Sequence, residues 1–326
     1  MELTWRNKQK VVFYNIDENT NVLKPIWVEE EEFQSMRSFS FELQRTIGDN
    51  SSGNRLILGD NLLSLKALTM ELGGKVKCIY IDPPYNTGYT FNTYDDNFEH
   101  TEWLGMMYHR IKLLHELLHE QGVIFVQLDD LEHAYLELVM NSIFKEENKV
   151  GTIIWRRRQS QANLSGTLSS IHDYILIYGK NKKKLHNNSL KSNIWVDTSK
   201  YGYNQRASEE TEKYFGNKTA FGTPKPELLI YKILKLATRK DDLVLDSFLG
   251  SGTTAAVAHK MKRKYIGIEI SPLAFSLSER RIHRIITEKP QPNIGITKLI
   301  KWKGGGGCTI YALNPTYKVE GIQNDR

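Results

Sequence analysis

An apolar run that stops at an acidic residue and two prolines constrains the fold of this chain more than any other stretch. The run covers residues 76–81 and is followed by Asp82-Pro83-Pro84-Tyr85. A short β-rich run bounded by such turn residues predicts a buried parallel strand that ends in a rigid loop. Because ligands of open α/β sheets bind at the carboxyl ends of the strands, we interpret this loop as a candidate site.

The loop residues offer a definite chemistry. The Asp82 carboxylate and a neighbouring backbone carbonyl can both accept hydrogen bonds from one planar amine, and the Tyr85 ring can stack on a heterocyclic base. The prolines keep φ at about −65° and donate no hydrogen bond, so the acceptors stand on a stiff frame. Two acceptors that hold the amine hydrogens free a lone pair that is otherwise delocalised into the base. An ordinary strand-to-turn Asp-Pro explains these residues equally well when they are taken alone.

Composition narrows the classes of protein that the chain can belong to. A length of 326 residues with 40% hydrophobic content suits one large α/β domain or two small ones. The formal charge of +6 mildly favours a polyanionic partner. Cys78 and Cys308 form neither a disulfide framework nor a zinc site, and the scattered histidines do not suggest a metal site. No apolar run approaches about 18 residues, so we expect no membrane span and take a cytoplasmic location as the default.

Alternating strand and helix patterns fill the first half of the chain. A strand at 56–58 ends at Gly59-Asp60-Asn61, and a helical pattern at 62–72 leads into the strand before Asp82. This arrangement predicts that Asp60 and Asp82 lie at the carboxyl ends of two parallel strands. The patterns that follow predict a helix from Trp103 to Leu118 ended by Gly122, a strand at 123–126, a helix at 131–144, and strands at 150–155 and 174–178.

A glycine-rich turn organises the second half. A strand at 243–246 ends at Asp246, and the turn Ser247-Phe248-Leu249-Gly250-Ser251-Gly252-Thr253-Thr254 precedes an alanine-rich helix. Such a turn binds nucleotide-type ligands because its glycines let a ligand approach the backbone. The next strand ends at Glu269, where an acid can accept hydrogen bonds from a ribose diol. A surface carboxylate is the alternative for Glu269, but the neighbouring turn favours ribose binding.

The two halves are joined by residues 179–221, which are rich in Lys, Asn, Ser, Thr and Tyr and have no sustained periodicity. This stretch is longer than a connection in an α/β domain needs. Its basic and aromatic side chains suit contact with nucleic acid, and a disordered loop is the alternative. The segment Thr223-Pro224-Lys225-Pro226-Glu227 then begins a helix at 228–237, with proline in its first turn.

These stretches resemble the motifs of the amino-methylating DNA methyltransferases. Residues 82–88 resemble their catalytic motif, residues 246–254 their cofactor motif, and residues 223–227 the lysine-containing motif that precedes it. The order, with the catalytic half first, resembles the β group of adenine-N6 enzymes. The modification subunits of type III restriction systems are similar at further positions, namely Gly59-Asp60-Asn61, Tyr80-Ile81, Trp103 and residues 122–130. Those subunits carry a larger target-recognition insert than this chain has.

The resemblance implies an α/β, Rossmann-like S-adenosylmethionine-dependent methyltransferase fold that is circularly permuted. Its sheet is expected to be mostly parallel and seven-stranded, with helices on both faces. We divide the chain into an N-terminal extension at 1–50, a catalytic half at 51–180, a target-recognition insert at 181–221, a cofactor-binding half at 222–286 and a C-terminal tail at 287–326. The extension has no role that we can assign.

The resemblance also implies roles for individual residues. The catalytic residues are Asp82, Pro83, Pro84 and Tyr85: a flipped-out adenine stacks on Tyr85, and its N6 amine donates to Asp82 and to the Pro83 carbonyl. The residues expected to bind S-adenosylmethionine are Asp60, Asn61, Lys225, Asp246, Phe248, Gly250, Gly252, Thr253 and Glu269. Among these, Asp60 is expected near the cofactor's adenine amine, Lys225 near its carboxylate and Glu269 on its ribose.

The implied function is methylation of adenine N6 in double-stranded DNA, in a restriction-modification system or by an orphan relative. The expected partners are DNA, a second copy of the chain and a helicase-nuclease restriction subunit. The alternatives are a cytosine-N4 target, an RNA or protein amine target, and a catalytically silent DNA-binding subunit. Intact Asp82, Tyr85 and Gly250 argue against the last of these.

Overall fold

The computed structural model describes residues 3–16, 23–36, 39–86, 89–90, 95–96, 99–159, 170–185 and 192–315. Thr87 and Gly88 of the catalytic motif lie outside these ranges, as do parts of the insert and of the C-terminal tail.

Strands and helices alternate along most of the described chain. The strands are β1 (Lys10–Ile16), β2 (Leu23–Glu29), β3 (Phe39–Gly48), β4 (Arg55–Leu58), β5 (Val76–Ile81), β6 (Tyr89–Thr90), β7 (Asp95–Asp96), β8 (Leu118–Leu128), β9 (Lys149–Arg156), β10 (His172–Gly179), β11 (Ile194–Trp195), β12 (Leu243–Asp246), β13 (Lys264–Glu269) and β14 (Gly307–Pro315). The helices are α1 (Glu30–Ser35), α2 (Asn61–Leu72), α3 (His100–Leu117), α4 (His133–Phe144), α5 (Thr198–Tyr201), α6 (Asn204–Phe215), α7 (Glu227–Ala237), α8 (Thr253–Lys260) and α9 (Pro272–Thr287).

One large sheet runs through the molecule, with the strand order β11-β9-β10-β8-β5-β12-β13-β4-β14-β3. The six neighbours from β8 to β14 pair in parallel, whereas β10 runs antiparallel to both of its neighbours. The α/β fold with a mostly parallel sheet is therefore confirmed. Within the described ranges the sheet has ten strands, because β11, β14 and β3 extend the expected seven at the two edges.

The sheet is buried on both faces, so its central strands are apolar throughout. In β5, Ile79 and Ile81 pack on the face covered by α2, α3 and α4, while Cys78 and Tyr80 pack on the face covered by α7, α8 and α9. Alternate residues of a strand point to opposite faces, so an unbroken apolar run fits a strand between two helical layers. This burial holds the carboxyl ends of the strands in fixed positions.

The end of α3 differs from the expectation. The helix ends at Leu117 instead of continuing to Gly122, and β8 already begins at Leu118. Gly122 lies inside the strand, where a Cβ atom would stand 2.8 Å from the Val76 carbonyl oxygen. Its missing side chain therefore permits a close approach of β8 to β5 where their register shifts.

Several elements of the described chain lie where no regular structure was expected, and the three longest of them are β3, β14 and α6. β3 and β14 fall in the extension and the tail, and α6 falls in the insert. β14 pairs with both β3 and β4, so it joins the extension to the main sheet.

The boundaries of the five segments remain a prediction. Among the described residues, no helix has both the length and the apolarity needed to cross a membrane.

Candidate active site

A cavity of about 320 Å³ opens at the carboxyl ends of β4, β5, β12 and β13. It brings together residues from both halves of the chain. The predicted site residues that line it are Asp60, Asn61, Asp82, Pro84, Lys225, Asp246, Phe248, Gly250, Thr253 and Glu269. Pro83, Tyr85 and Gly252 do not line the cavity, but each is next in sequence to a residue that does. Ten of the thirteen predicted site residues therefore line this one cavity.

The Asp82 carboxylate is held by donors on both of its oxygens. The Tyr85 hydroxyl donates to Oδ1 at 2.7 Å, and the Lys225 ammonium forms an ion pair with Oδ2. The same ammonium lies 5.2 Å from the centre of the Tyr85 ring. The loop itself is fixed from outside, because the Trp103 indole donates to the Pro84 carbonyl at 2.8 Å. Lys225, expected near a cofactor carboxylate, thus contacts the catalytic loop in this structure.

A buried polar network stands behind Tyr85. Asp173 on β10 accepts hydrogen bonds from Arg157 Nη1 and Gln127 Nε2, each at 2.8 Å, and from the Tyr85 hydroxyl at 3.3 Å. Tyr80 completes the network by donating to Gln127 Oε1 at 2.7 Å. Burial raises the pKa of the Asp173 carboxyl, while Arg157 and Lys225 oppose that shift. The network orients the hydroxyl of Tyr85 and so supports the loop from below.

Tyr85 keeps its proton in this setting. Burial, with the charges of Asp173 and Asp82, raises the pKa of its phenol well above the usual value. A protonated phenol can donate to a carboxylate, whereas a phenolate would repel it. The hydroxyl is therefore a lasting donor to Asp82.

The glycine-rich turn begins at a buried carboxyl. Asp246 Oδ1 accepts a hydrogen bond from the Phe248 amide at 3.0 Å, and burial raises the pKa of Asp246 to about 7. Gly250 and Gly252 have φ values of 53° and 79°, in the left-handed region that glycine adopts without strain. A Cβ atom on Gly252 would also stand 2.8 Å from Ser278 Cβ of α9. Both the shape of the turn and the packing of α9 therefore require glycine.

Glu269 is attached to this turn. Its Oε2 accepts from the Gly250 amide at 2.8 Å, and its Oε1 accepts from the Ser271 amide at 2.9 Å. Burial raises the pKa of Glu269, and the two amides oppose that shift. Each oxygen of a carboxylate can accept a further hydrogen bond, so the group can still bind a diol in the cavity.

Asp60 and Asn61 have partners within the chain. Asp60 Oδ1 caps α2 at the Leu63 amide, 3.0 Å away, and Oδ2 accepts from the Tyr14 amide at 2.9 Å and from Arg110 at 3.2 Å. Asn61 accepts from Arg110 Nε at 2.5 Å and donates to the Ser247 carbonyl at 2.8 Å. Both residues therefore fasten the N-terminus of α2 to its surroundings, and a role for them in cofactor binding stays a prediction.

Several residues at the site were not found from the sequence. Arg110 has a side-chain exposure of 1% and lies on the face of α3 that also carries Met107 and Ile111. A charged residue at a position of the apolar stripe is the signal that could have revealed it. The same signal applies to Asp173, an acid in an otherwise apolar strand. Tyr14 and Trp27 line the cavity from the N-terminal extension, and no motif in the sequence marked them.

Known proteins with similar sequences and structures are DNA methylases. A family model described as DNA methylase matches residues 76–280. The "Probable type III restriction-modification enzyme HindVI Mod subunit" of Haemophilus influenzae is 27% identical over 84% of this chain and 56% of that protein. This chain spans about half of the length of such curated relatives.

Solved structures of methyltransferases have the same fold. The PvuII DNA methyltransferase (cytosine-N4-specific) is similar with a TM-score of 0.57 at 17% identity, over 81% of this chain and 98% of that one. The M1.HpyAVI-SAM complex is similar with a TM-score of 0.50 at 22% identity, over 70% of this chain and 98% of that one. Since the family model matches well over half of its residues, this chain belongs to the DNA methylase family.

Proposed function

We propose that this chain transfers a methyl group from S-adenosylmethionine to adenine N6 in double-stranded DNA, as an adenine-specific DNA methyltransferase. The observation that supports this most directly is the shared cavity, which joins the Asp82 loop to the glycine-rich turn and Glu269. The part of this cavity beside Asp82 can hold an amine, and the part beside the glycine-rich turn and Glu269 can hold a nucleoside. Membership of the DNA methylase family agrees with that chemistry.

The residues present fit S-adenosylmethionine. The cavity volume of about 320 Å³ is within the range of small-molecule sites. Phe248, Gly250, Gly252 and Thr253 would surround the methionine part, and the partly buried Glu269 carboxylate would accept from the ribose hydroxyls. Asp60, Asn61 and Asp246 would hold the surrounding backbone in place. When bound, the cofactor supplies a methyl group that is activated by a sulfonium.

Asp82 and Tyr85 would hold the target base. An adenine cannot be reached inside a duplex, so it is flipped out at a cost of a few kcal/mol and stacks on Tyr85. Its N6 amine then donates to Asp82 and to the Pro83 carbonyl. Each oxygen of Asp82 already accepts from one donor in the structure and can accept a further hydrogen bond, so the amine can bind while Tyr85 and Lys225 stay in place.

Positioning supplies most of the rate enhancement in this proposal. Reactants held in line can gain on the order of 7–11 kcal/mol from proximity alone. Asp82 contributes by orienting the amine and by drawing its nitrogen toward tetrahedral geometry. The amine nitrogen loses one proton on methylation, and a pH profile of turnover tests Asp82 as its acceptor.

The test is methylation of unmethylated genomic DNA, and of RNA in a parallel reaction, with labelled S-adenosylmethionine, followed by mass spectrometry of the nucleosides. We expect N6-methyladenine, and we expect Asp82→Ala to lower turnover at least about 100-fold while cofactor affinity is unchanged. N4-methylcytosine as the product would overturn the choice of base. Label in RNA and none in DNA would overturn the choice of substrate.

Cytosine N4 is the second candidate target, because it is also an exocyclic amine on a planar base. The chain has a fold similar to that of the PvuII enzyme, whose name describes it as cytosine-N4-specific. The loop that contains Asp82 and the order of the motifs resemble those of adenine-N6 enzymes, so adenine is the first candidate.

We also propose the partners that the curated relatives suggest. The formal charge of +6 suits duplex DNA, and the Mod subunits that resemble this chain bear the name of type III restriction-modification enzymes. A helicase-nuclease restriction subunit, a second copy of the chain and a cytoplasmic location complete the proposal. Light scattering of the purified chain, alone and with DNA, tests for the homodimer.

A further inference from the structure

The hairpin of β1 and β2 forms one wall of the cavity. The strands pair antiparallel, with Val12 opposite Trp27 and Tyr14 opposite Pro25. Tyr14, Pro25 and Trp27 line the cavity, together with Leu23. Residues that oppose each other across an antiparallel pair share a face, so these side chains form one continuous surface.

The opposite face of the hairpin packs into the core. Val11, Phe13 and Val28 are buried there with relative exposures of 0%, 0% and 4%. Because alternate residues point to opposite sides of a strand, the hairpin has a core face and a cavity face. The core face fixes where the cavity face stands.

Buried polar contacts fasten the hairpin to the end of β4. The Tyr14 amide donates to Asp60 Oδ2 at 2.9 Å. Arg110 donates to the Val12 carbonyl at 3.1 Å and to Asp60 at 3.2 Å, and the Arg110 and Asp60 side chains are 1% and 2% exposed. A charge pair this deeply buried makes displacement of either partner costly. The wall is therefore held in place before any ligand binds.

The position of Glu269 indicates which part of a ligand meets this wall. Glu269 ends β13, and the neighbours of β13 are β12 and β4. The glycine-rich turn follows β12, so that side of Glu269 is assigned to the methionine part of the cofactor. The base on the ribose would extend to the other side, over the end of β4, where Asp60 carries the hairpin.

We infer that the β1–β2 hairpin is the adenosine-binding wall of the cofactor site, with Tyr14 and Trp27 packing against the purine. This inference rests on the proposed function, because it requires a cofactor with an adenosine. Aromatic rings offer a purine a stacking surface and remove its apolar faces from water. Asp60 Oδ2 already accepts hydrogen bonds from the Tyr14 amide and from Arg110, so this oxygen holds the hairpin in place. The N-terminal extension thus supplies part of the binding site.

Isothermal titration calorimetry with S-adenosylhomocysteine and with 5′-methylthioadenosine tests the inference. Tyr14→Ala and Trp27→Ala are each expected to weaken both ligands by about 5- to 150-fold, the loss expected for one stacked base. The second probe lacks the amino-acid part, so an equal loss for both probes assigns the wall to adenosine. Tyr14→Phe is the matched variant, which keeps the ring and should bind within about twofold of the unmodified chain.

The outcomes separate the inference from the proposed function. If the unmodified chain binds neither S-adenosylmethionine nor the two probes, the proposed function fails and the inference fails with it. If the unmodified chain binds them and both alanine variants bind equally well, the inference alone is overturned. A loss for S-adenosylhomocysteine without a loss for methylthioadenosine also overturns it, because the wall would then contact the amino-acid part. Trp27→Ala keeps the test decisive if Tyr14→Ala fails to fold, since Trp27 is partly exposed and the hydrogen bond to Asp60 comes from the Tyr14 amide.

Discussion

Two different donors hold Asp82 in the orientation that an incoming amine would need. Lys225 supplies a cation, whereas Tyr85 supplies a neutral hydroxyl that also reaches Asp173. A carboxylate oriented in advance loses little freedom when the amine arrives, which is the advantage of a preorganised site. The Tyr85 side chain therefore has two separable roles, one for its ring and one for its hydroxyl.

Two substitutions of Tyr85 separate these roles. Tyr85→Ala should weaken the binding of the flipped base by about 1–3 kcal/mol, because the stacking surface is lost. Tyr85→Phe keeps the ring but removes the donor to Asp82, so we expect a lower kcat with a nearly unchanged KM for DNA. Steady-state kinetics on a mapped DNA substrate measures both. Unchanged kinetics in the alanine variant would contradict the stacking role.

The buried carboxyl of Asp246 makes stability depend on pH. Its pKa of about 7 in the folded chain is above the ordinary value of 3.8, so between these values the folded state binds more protons than the unfolded state. Its contribution to the free energy of unfolding therefore falls as pH rises toward 7, by about 1.4 kcal/mol per pH unit. Asp246→Asn removes this dependence.

Urea denaturation at pH 5 and pH 8 checks this prediction. The stability of Asp246→Asn relative to the unmodified chain should rise by about 2–3 kcal/mol from the lower to the higher pH. Other buried acids titrate in the same range, but they are common to both proteins and cancel in the difference. A difference that does not change with pH would show that the folded pKa of Asp246 is not raised.

At the scale of elements, the sequence predicted the βα units because their signals are local and repeated. The strands that end at Ile81, Asp246 and Glu269 are short apolar runs followed by turn residues, and each forms where it was expected. Residues at the carboxyl ends of neighbouring parallel strands must meet at one edge, so the site followed from the strands. The order and direction of the strands therefore determine which of the residues marked by local sequence signals lie close together.

The elements that sequence reasoning missed lack a local signal. β3 is exposed at most positions and gains its place by pairing with β14, which is distant in sequence. α6 buries the polar residues Glu210 and Thr211 beside Tyr214 and Phe215, which dilutes its helical pattern. Partners far along the chain determine these elements, so a window of neighbouring residues cannot reveal them.

The contact of β8 with β5 gives a prediction at this scale. Gly122→Ala should destabilise the protein by about 1–3 kcal/mol, because the new Cβ atom would stand 2.8 Å from the Val76 carbonyl oxygen and from Leu118. Gly151→Ala is the matched control, since a Cβ atom there meets nothing within 4 Å. Equal stabilities of the two variants in urea denaturation would contradict the close approach.

At the scale of the whole molecule, a buried charge network joins the insert to the cofactor-binding half. Lys260 of α8 contacts Glu227 of α7 at 2.7 Å, with exposures of 1% and 0%, and both contact the Tyr214 hydroxyl of α6 at 2.9 Å. Glu210 of α6 accepts from the Glu227 amide at 2.9 Å. Three helices therefore share one set of charges, and loss of one partner affects all of them.

Lys260→Met should destabilise the fold by about 3–5 kcal/mol, because it leaves the Glu227 charge buried without its cation. Lys240→Met is the control, since the Lys240 side chain is 69% exposed. Adding Glu227→Gln to Lys260→Met should restore part of the lost stability, as the uncompensated charge is then removed. Urea denaturation of the unmodified chain, the two single variants and the double variant measures these differences. A double variant that is less stable than Lys260→Met would contradict the role of the buried charge.

The position of β14 between β4 and β3 has a consequence for synthesis on the ribosome. Gly48 of β3 pairs with Gly307 of β14, so the ribosome must add about 260 residues before this pair can form. At roughly 5–20 residues per second, the nascent β3 waits on the order of tens of seconds without its neighbour. An unpaired strand edge readily pairs with other chains. The newborn protein is therefore most vulnerable to aggregation until β14 has emerged and closed that edge.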